Sequence, residues 1–352
     1  YNASHLLGFF SVFNPDAIKS VKLYKGGFPA HYGGRLSSVV DIAMKDGNMK
    51  KMEGNFSIGA ISSKLSLEGP IVKDKTSFIV SARRTYLDVL AQPIIAMYNK
   101  NDGESVKAGA YFHDLNLKVN HIFSDRSRLY FSGYYGKDKG YGGNEYTTKY
   151  EYGTEKVNHY SKDLFGLGWG NTIASLRWNY LINKKLFSNT TLTYSKYIFD
   201  ITLENEDKDL ISNSKIQNLF KYYSGIEDLS AKVDFDYFPF PGHEVKFGAQ
   251  YTNHLFSPGV TQLKYEDQYE DMSSKLDSTF GNREINANEL AFYLEDDMVI
   301  TPELRLNAGV HLSVFNVQNV NYVRPQPRLS LRYKASDNWS LKASYSRMAQ
   351  HV

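Results

Sequence analysis

NPDAIKSVKLYKGGFPAHYGGRLSSVVD, from Asn14 to Asp41, is unlike anything that follows it in the chain. Pro15 to Ile18 read as a short helix or turn, Ser20 to Tyr24 as a strand, Lys25 to Arg35 as a glycine-broken crossing, and Leu36 to Ile42 as a second strand. The pairs Gly26-Gly27 and Gly33-Gly34 mark points where the backbone takes positive φ or passes close to another surface. Beyond this stretch the sequence is a long series of alternating strands. One segment is therefore expected to differ in kind from the rest.

Past the polar linker Lys45–Lys51, apolar and polar residues alternate. Phe56, Ile58 and Ala60 stand between Asn55, Ser57 and Gly59. Leu229, Ala231, Val233, Phe235 and Tyr237 oppose Ser230, Lys232, Asp234 and Asp236, and the run from Leu304 to Val314 repeats the pattern. Side chains on a strand point alternately to its two faces, so each segment has one greasy and one wet face. About thirteen such strands can be counted, many near the ~9–11 residues that a tilted membrane strand needs. A helix-tolerant insertion from Leu87 to Tyr98 interrupts them.

The connections discriminate between architectures. Short turns fall at Val72–Lys75, Ser124–Ser127, Asn183–Lys185, Pro239–His243, Thr301–Glu303 and Ser336–Asn338. Longer loops are expected between them at Asp88–Gly109, Gly136–Gly168, Glu204–Ile226, Ser257–Ala287 and Asn316–Val323. Alternation of short and long suits an up-and-down barrel with turns on one side of a membrane and loops on the other. A Greek-key sandwich has no reason to obey it. Tyr237, Phe238, Phe240 and Trp339 lie beside short turns, as an aromatic girdle requires.

Composition narrows the choice further. Aromatic residues make up 14% of the chain, including 27 tyrosines, yet mean hydropathy is negative. No apolar run approaches the ~20 residues of a membrane helix. The net charge of +3 gives no nucleic-acid footprint. The absence of cysteine excludes disulfides and thiolate chemistry. There is no G-x-S-x-G, Walker or H-E-x-x-H motif, so neither an enzyme nor a cofactor is expected. Glu295-Asp296-Asp297 could suggest a cation site, but at most two of the three share a face, and a lumen wall of mixed charge is the better reading.

The run through Lys25-Gly26-Gly27, Tyr32-Gly33-Gly34-Arg35 and the following Ser-Val-Val strand resembles the end of the plug domain of TonB-dependent outer-membrane receptors. It resembles the type that carries a carboxypeptidase-like regulatory domain more than the starch-uptake type, whose plug ends differently. The resemblance implies an all-β fold: a transmembrane antiparallel up-and-down β-barrel, here partial, with about 13 of about 22 strands. The C-terminal part of the plug would be residues 1–46, the truncated barrel 47–352. It implies the outer membrane as location, and active uptake of a scarce ligand such as a siderophore, metal chelate, glycan or peptide. The implied partners are the TonB complex (through a segment upstream of Tyr1), a small-molecule or oligomeric ligand, a surface lipoprotein and membrane lipid. A non-transporting adhesin or docking barrel, and a soluble all-β glycan-binding protein, are the alternatives.

Within that frame Arg35 and Arg83 are the expected contacts between plug and barrel. Arg84, on the apolar face of the same strand as Arg83, is expected to snorkel at the outer rim. Tyr141, Tyr146, Tyr150, Tyr152 and Tyr160 are the expected ligand-contacting aromatics, because stacking faces suit a sugar or an aromatic chelate.

Overall fold

The computed structural model describes residues 4–5, 8–99, 104–152, 155–269, 272–281 and 284–351. The N-terminal part holds two small two-stranded sheets. β1 (Ser4–His5) pairs with β2 (Phe10–Ser11), and β3 (Ile18–Lys25) pairs with β4 (Ser38–Met44). A 3-10 turn at Pro15–Ala17 precedes β3. Asn14 caps it by accepting from the Asp16 N–H, and Pro15 occupies the first position, where no N–H is needed.

One large antiparallel sheet follows. Its strands are β5 (Glu53–Ile58), β6 (Ser62–Val72), β7 (Thr76–Thr85), β8 (Glu104–Ser124), β9 (Ser127–Tyr152), β10 (Glu155–Asn183), β11 (Leu186–Asp209), β12 (Ser214–Tyr237), β13 (His243–Tyr269), β14 (Met272–Phe280), β15 (Ile285–Val299), β16 (Leu304–Val317), β17 (Val320–Lys334) and β18 (Ser340–Ser346). Each pairs with its sequence neighbour, except that β14 and β15 both pair with β13, one above the other. Among the described residues β5 and β18 each have a partner on one side only, so the sheet curves without closing. This is the up-and-down order that the turn pattern predicts.

The alternation sorts the two faces. Along β8 the residues Phe112, Asp114, Asn116, Lys118 and Asn120 are buried, while Leu115 on the other face is exposed. Along β15 Ala291, Tyr293 and Glu295 are buried, and Leu290, Phe292 and Leu294 are exposed. The wet face is the covered one and the greasy face is bare. That inversion of a soluble protein's arrangement is what a lipid-facing wall requires.

The expected long loops are corrected. Gly136–Gly168, Glu204–Ile226 and most of Ser257–Ala287 are not loops but continuations of the strands. β10 runs 29 residues and β13 runs 27, against the ~9–11 that cross a membrane. The ladder from Ser127↔Tyr180 to Tyr152↔Glu155 is unbroken. Outside lipid both faces of a strand meet water, so the apolar alternation fades although backbone pairing continues. Hydrophobic period reports the faces, and pairing is silent in it. The β16–β17 connection is likewise tight: Gln318 and Asn319 both have positive φ, as a two-residue hairpin turn demands. Asp88–Gly109 is the exception, with α1 (Leu87–Leu90) and α2 (Gln92–Tyr98) where a helix-tolerant insertion is predicted.

Candidate functional site

The N-terminal segment lies against the covered face of the sheet and is bonded to it near both ends. At the far end Arg328 of β17 is buried. Its Nη1 donates to the carbonyls of Phe28, Pro29 and Tyr32 at 3.3, 2.7 and 2.5 Å, and its guanidinium lies over the Phe28 ring. His311 Nδ1 of β16 is 2.9 Å from the Ala30 carbonyl. Glu295 of β15 accepts from the His31 backbone N–H at 3.1 Å, and its other oxygen is 2.6 Å from His31 Nδ1. Residues 28–32 are thus gripped by three adjacent strands.

At the near end the grip comes from β6 to β9. Lys118 Nζ donates to Asp46 Oδ1 at 2.6 Å and to the Met44 carbonyl at 3.1 Å. Asn120 and Ser77 donate to the Asp46 carbonyl, and Lys64 pairs with Asp16 at 2.8 Å. His5 is enclosed. It stacks on Phe112 with ring centroids 4.1 Å apart, and its Nδ1 is 2.6 Å from Asp138 Oδ2. Its Nε2 lies 3.4 Å from Asp114 Oδ2. Burial opposes a charge on this ring, but the hydrogen bonds and fields of Asp114 and Asp138 outweigh it and raise the pKa above the ordinary histidine value.

Arg83 points inward and joins this cluster. Its Nε donates to Asp114 Oδ2 at 2.8 Å, and its Nη2 reaches the Ser11 carbonyl at 2.8 Å. Arg35 is placed differently. Its Nη1 donates to the Gly34 carbonyl, and it lines a cavity of about 480 Å³ whose wall carries Asp228, His254 and Glu289. Arg84 points outward, 2.9 Å from Asp88.

The glycines of the crossing have distinct uses. Gly27 has φ of 53°, and a Cβ on it would stand 2.6 Å from Ser344 Oγ of β18. Gly33 has ordinary φ, but a Cβ there would overlap the His311 ring. Tyr32 Oη donates to Asp41 at 3.1 Å, tying the crossing to β4. Lys25 ends β3, and Gly26 and Gly34 have positive φ.

Between the two grips the middle strands stand away from the segment. A cavity of about 580 Å³ separates Lys19, Ile42 and Met44 from Arg177, Thr191 and Lys232. The expected ligand aromatics divide. On β9 the buried Tyr130 and Asp138 fix even positions as inward, so Tyr146 and Tyr150 share the inner face and Tyr141 the outer. Tyr146 pairs with Ser161, buried on β10, which puts Tyr160 outside, under Lys208 Nζ at 5.4 Å. The side chain of Tyr152 lies outside the described residues.

His5, Asp114, Asp138, His31, Glu295 and Arg328 carry the interface; of these the sequence singles out only Glu295, and that as part of an acidic triplet on a lumen wall and not as a contact to the N-terminal segment. Each is a polar residue on an alternating strand or a lone histidine, and only the fold brings residues more than a hundred positions apart together.

The family model for TonB dependent receptor-like β-barrels matches residues 98–348. The chain is similar to the siderophore receptor PiuA from Acinetobacter baumannii, with 14% identity over 96% of this chain and 55% of that one, and a TM-score of 0.61. It is also similar to the ferric yersiniabactin uptake receptor FyuA from Yersinia pestis, with 10% identity over 95% of this chain and 67% of that one, and a TM-score of 0.29. The fold likeness rests on PiuA, of which this chain spans about half the length. No curated protein sequence matches the chain. Receptors of this family are outer-membrane β-barrels and not enzymes. The chain, with its up-and-down sheet greasy outside and polar within, belongs to the TonB-dependent receptor family.

Proposed function

We propose that the complete protein is a TonB-dependent transporter that takes up a scarce ligand across the outer membrane, a siderophore, metal chelate, glycan or peptide. Residues 1–46 are the end of its plug, and 47–352 are the first part of its barrel. The plug blocks the lumen until the TonB complex pulls on it from the periplasm. Lys25 through Arg35 supply the bend that docks the plug on β15–β18, and Arg83 links β7 to the plug's β2. Tyr146 and Tyr150 face the side from which a ligand would enter.

The observation that carries this reading is the nature of the grip. The N-terminal segment is held by Arg328, Lys118, His31–Glu295 and the His5–Asp138 cluster, with cavities of about 480 and 580 Å³ against the middle strands. A plug seated on an apolar core would have to expose that core on release, at ~25 cal/mol per Å². Hydrogen bonds exchange for bonds to water at a net ~0.5–1.5 kcal/mol each. A polar interface is therefore firm at rest and can be undone by a directed pull.

The test is transport by the full-length receptor expressed as the sole receptor of its kind, in cells with and without TonB. Radio-iron catecholate and hydroxamate siderophores and a labelled oligosaccharide set serve as probes. The proposal expects a probe that binds in both strains and accumulates only with TonB. Binding without accumulation in either strain would instead mark an adhesin or docking barrel.

A further inference from the structure

We infer that the helical insertion α1–α2 is an interfacial anchor, lying on the outer wall of the barrel with its apolar side in the acyl chains of the outer leaflet. This goes beyond the transport reading and needs only the membrane barrel itself.

The insertion is outside the wall. Along β8 Phe112 and Asp114 face inward, so Gly109 and Tyr111 face out. Arg84, outward on β7, pairs with Asp88 of α1 at 2.9 Å and lies over the Tyr111 ring at 4.9 Å. A Cβ built on Gly109 would stand 3.0 Å from the Asp88 Cβ. The first turn of α1 thus rests on the lipid side of β8, and Gly109 is what lets it lie so close.

Its height is set by β7, which runs ten residues from the short turn at 73–75. That is about one membrane crossing, so α1 begins at the far interface. There the two helices bury no residue of their own. Ile94 is 72% exposed, Met97 73% and Tyr98 73%, with Val89 and Leu90 also bare. Leu90, Ile94, Met97 and Tyr98 follow helical spacing and form one stripe. α2, QPIIAMY, carries no charged residue. The outward wall of β6 and β8 is bare as well, at Leu65, Leu67 and Leu115, and a wall of that kind is covered by lipid. An apolar helix with a tyrosine at its end suits the boundary between acyl chains and headgroups.

The insertion is also fastened. β8 extends above β7, leaving a free edge that would invite unwanted pairing. The Asn99 side chain closes part of it, accepting from the Val106 N–H at 2.8 Å and donating to the Val106 carbonyl at 3.1 Å. The insertion therefore presents its apolar stripe in one place.

The experiment uses the full-length receptor in phosphatidylcholine–phosphatidylglycerol vesicles, with an environment-sensitive fluorophore on Met97→Cys or Ile94→Cys. Leu115→Cys on the wall and Tyr150→Cys on the extended hairpin are the references, and heat-dependent gel mobility confirms folding. Spin-labelled acyl chains should quench Met97 and Ile94 as they quench Leu115, and at least fivefold more than a water-soluble quencher does. Quenching like that of Tyr150 places the stripe in water and overturns the inference. Protection from both quenchers means that protein covers it, and overturns it as well.

Discussion

Arg328 Nη1 lies 2.7 Å from the carbonyl oxygen of Pro29, 299 positions earlier in the chain. The same nitrogen serves the carbonyls of Phe28 and Tyr32, so one buried guanidinium closes the loop from Phe28 to Tyr32 onto the barrel wall. Replacing it with an apolar side chain of similar length leaves three carbonyls short of a donor. Hydrogen bonds to a charged group are worth ~1.5–3 kcal/mol each and are not additive. Arg328→Met should therefore weaken this docking by about 2 kcal/mol, roughly a thirtyfold rise in the open population. Protease cleavage after Lys25 or Arg35 in the full-length receptor should accelerate accordingly, with the gel-shift signature of the barrel unchanged.

His5 gives the near grip a pH dependence. Its folded pKa is raised above the ordinary value of about 6.5 by Asp114 and Asp138, which outweigh the opposing effect of burial. The contribution is therefore full below about pH 6.5 and lost as pH rises through the higher folded value. Amide protection at residues 4–5 and 8–11 should fall across that window, beyond the rise in intrinsic exchange rate. His5→Gln should exchange faster at pH 6 and show a flatter profile, and an unchanged profile would remove His5 from the account.

The two faces of the β9–β10 hairpin separate the tyrosines. Tyr146→Ala and Tyr150→Ala remove aromatic faces from the inner side, each worth ~0.5–1.5 kcal/mol in a stacking contact. Ligand binding should weaken by roughly two- to tenfold. Tyr160→Ala, on the outer face, should leave it unchanged. Whole-cell binding of the ligand found in the transport screen decides this, and equal effects at all three would contradict the inward assignment.

The wall itself can be tested at neighbouring residues. Val233 faces lipid and Lys232 faces the lumen, where it pairs with Asp234 at 2.9 Å. Val233→Arg sets a charge toward the bilayer interior at a cost of ~2–4 kcal/mol. Lys232→Gln gives up only a partly exposed pair, of order 1 kcal/mol. Denaturant midpoints of the reconstituted barrel should fall sharply for the first and little for the second.

The sequence was informative where a residue's role depends on its immediate neighbours. Alternation at Leu229–Tyr237 and Leu304–Val314 shows which face meets lipid, and Gly26-Gly27 and Gly33-Gly34 mark the tight crossing. It was misleading from Gly136 to Gly168, where the apolar period fades although the ladder continues, because both faces are in water. It was silent on the interface. Asp114 and Asp138 look like ordinary lumen residues, and Arg328 like any polar position following two outward prolines, Pro325 and Pro327. Their partners lie in the first 46 residues, a distance that no local pattern spans.

The central claim is that the N-terminal segment is a plug that must move for transport. Asn14 Nδ2 lies 3.4 Å from Ser81 Oγ, both residues buried where the segment meets β7. Asn14→Cys with Ser81→Cys in the full-length receptor can tether the two. The account predicts normal ligand binding, loss of TonB-dependent uptake while the disulfide is intact, and recovery of uptake on reduction. Undiminished uptake with the disulfide formed would contradict it.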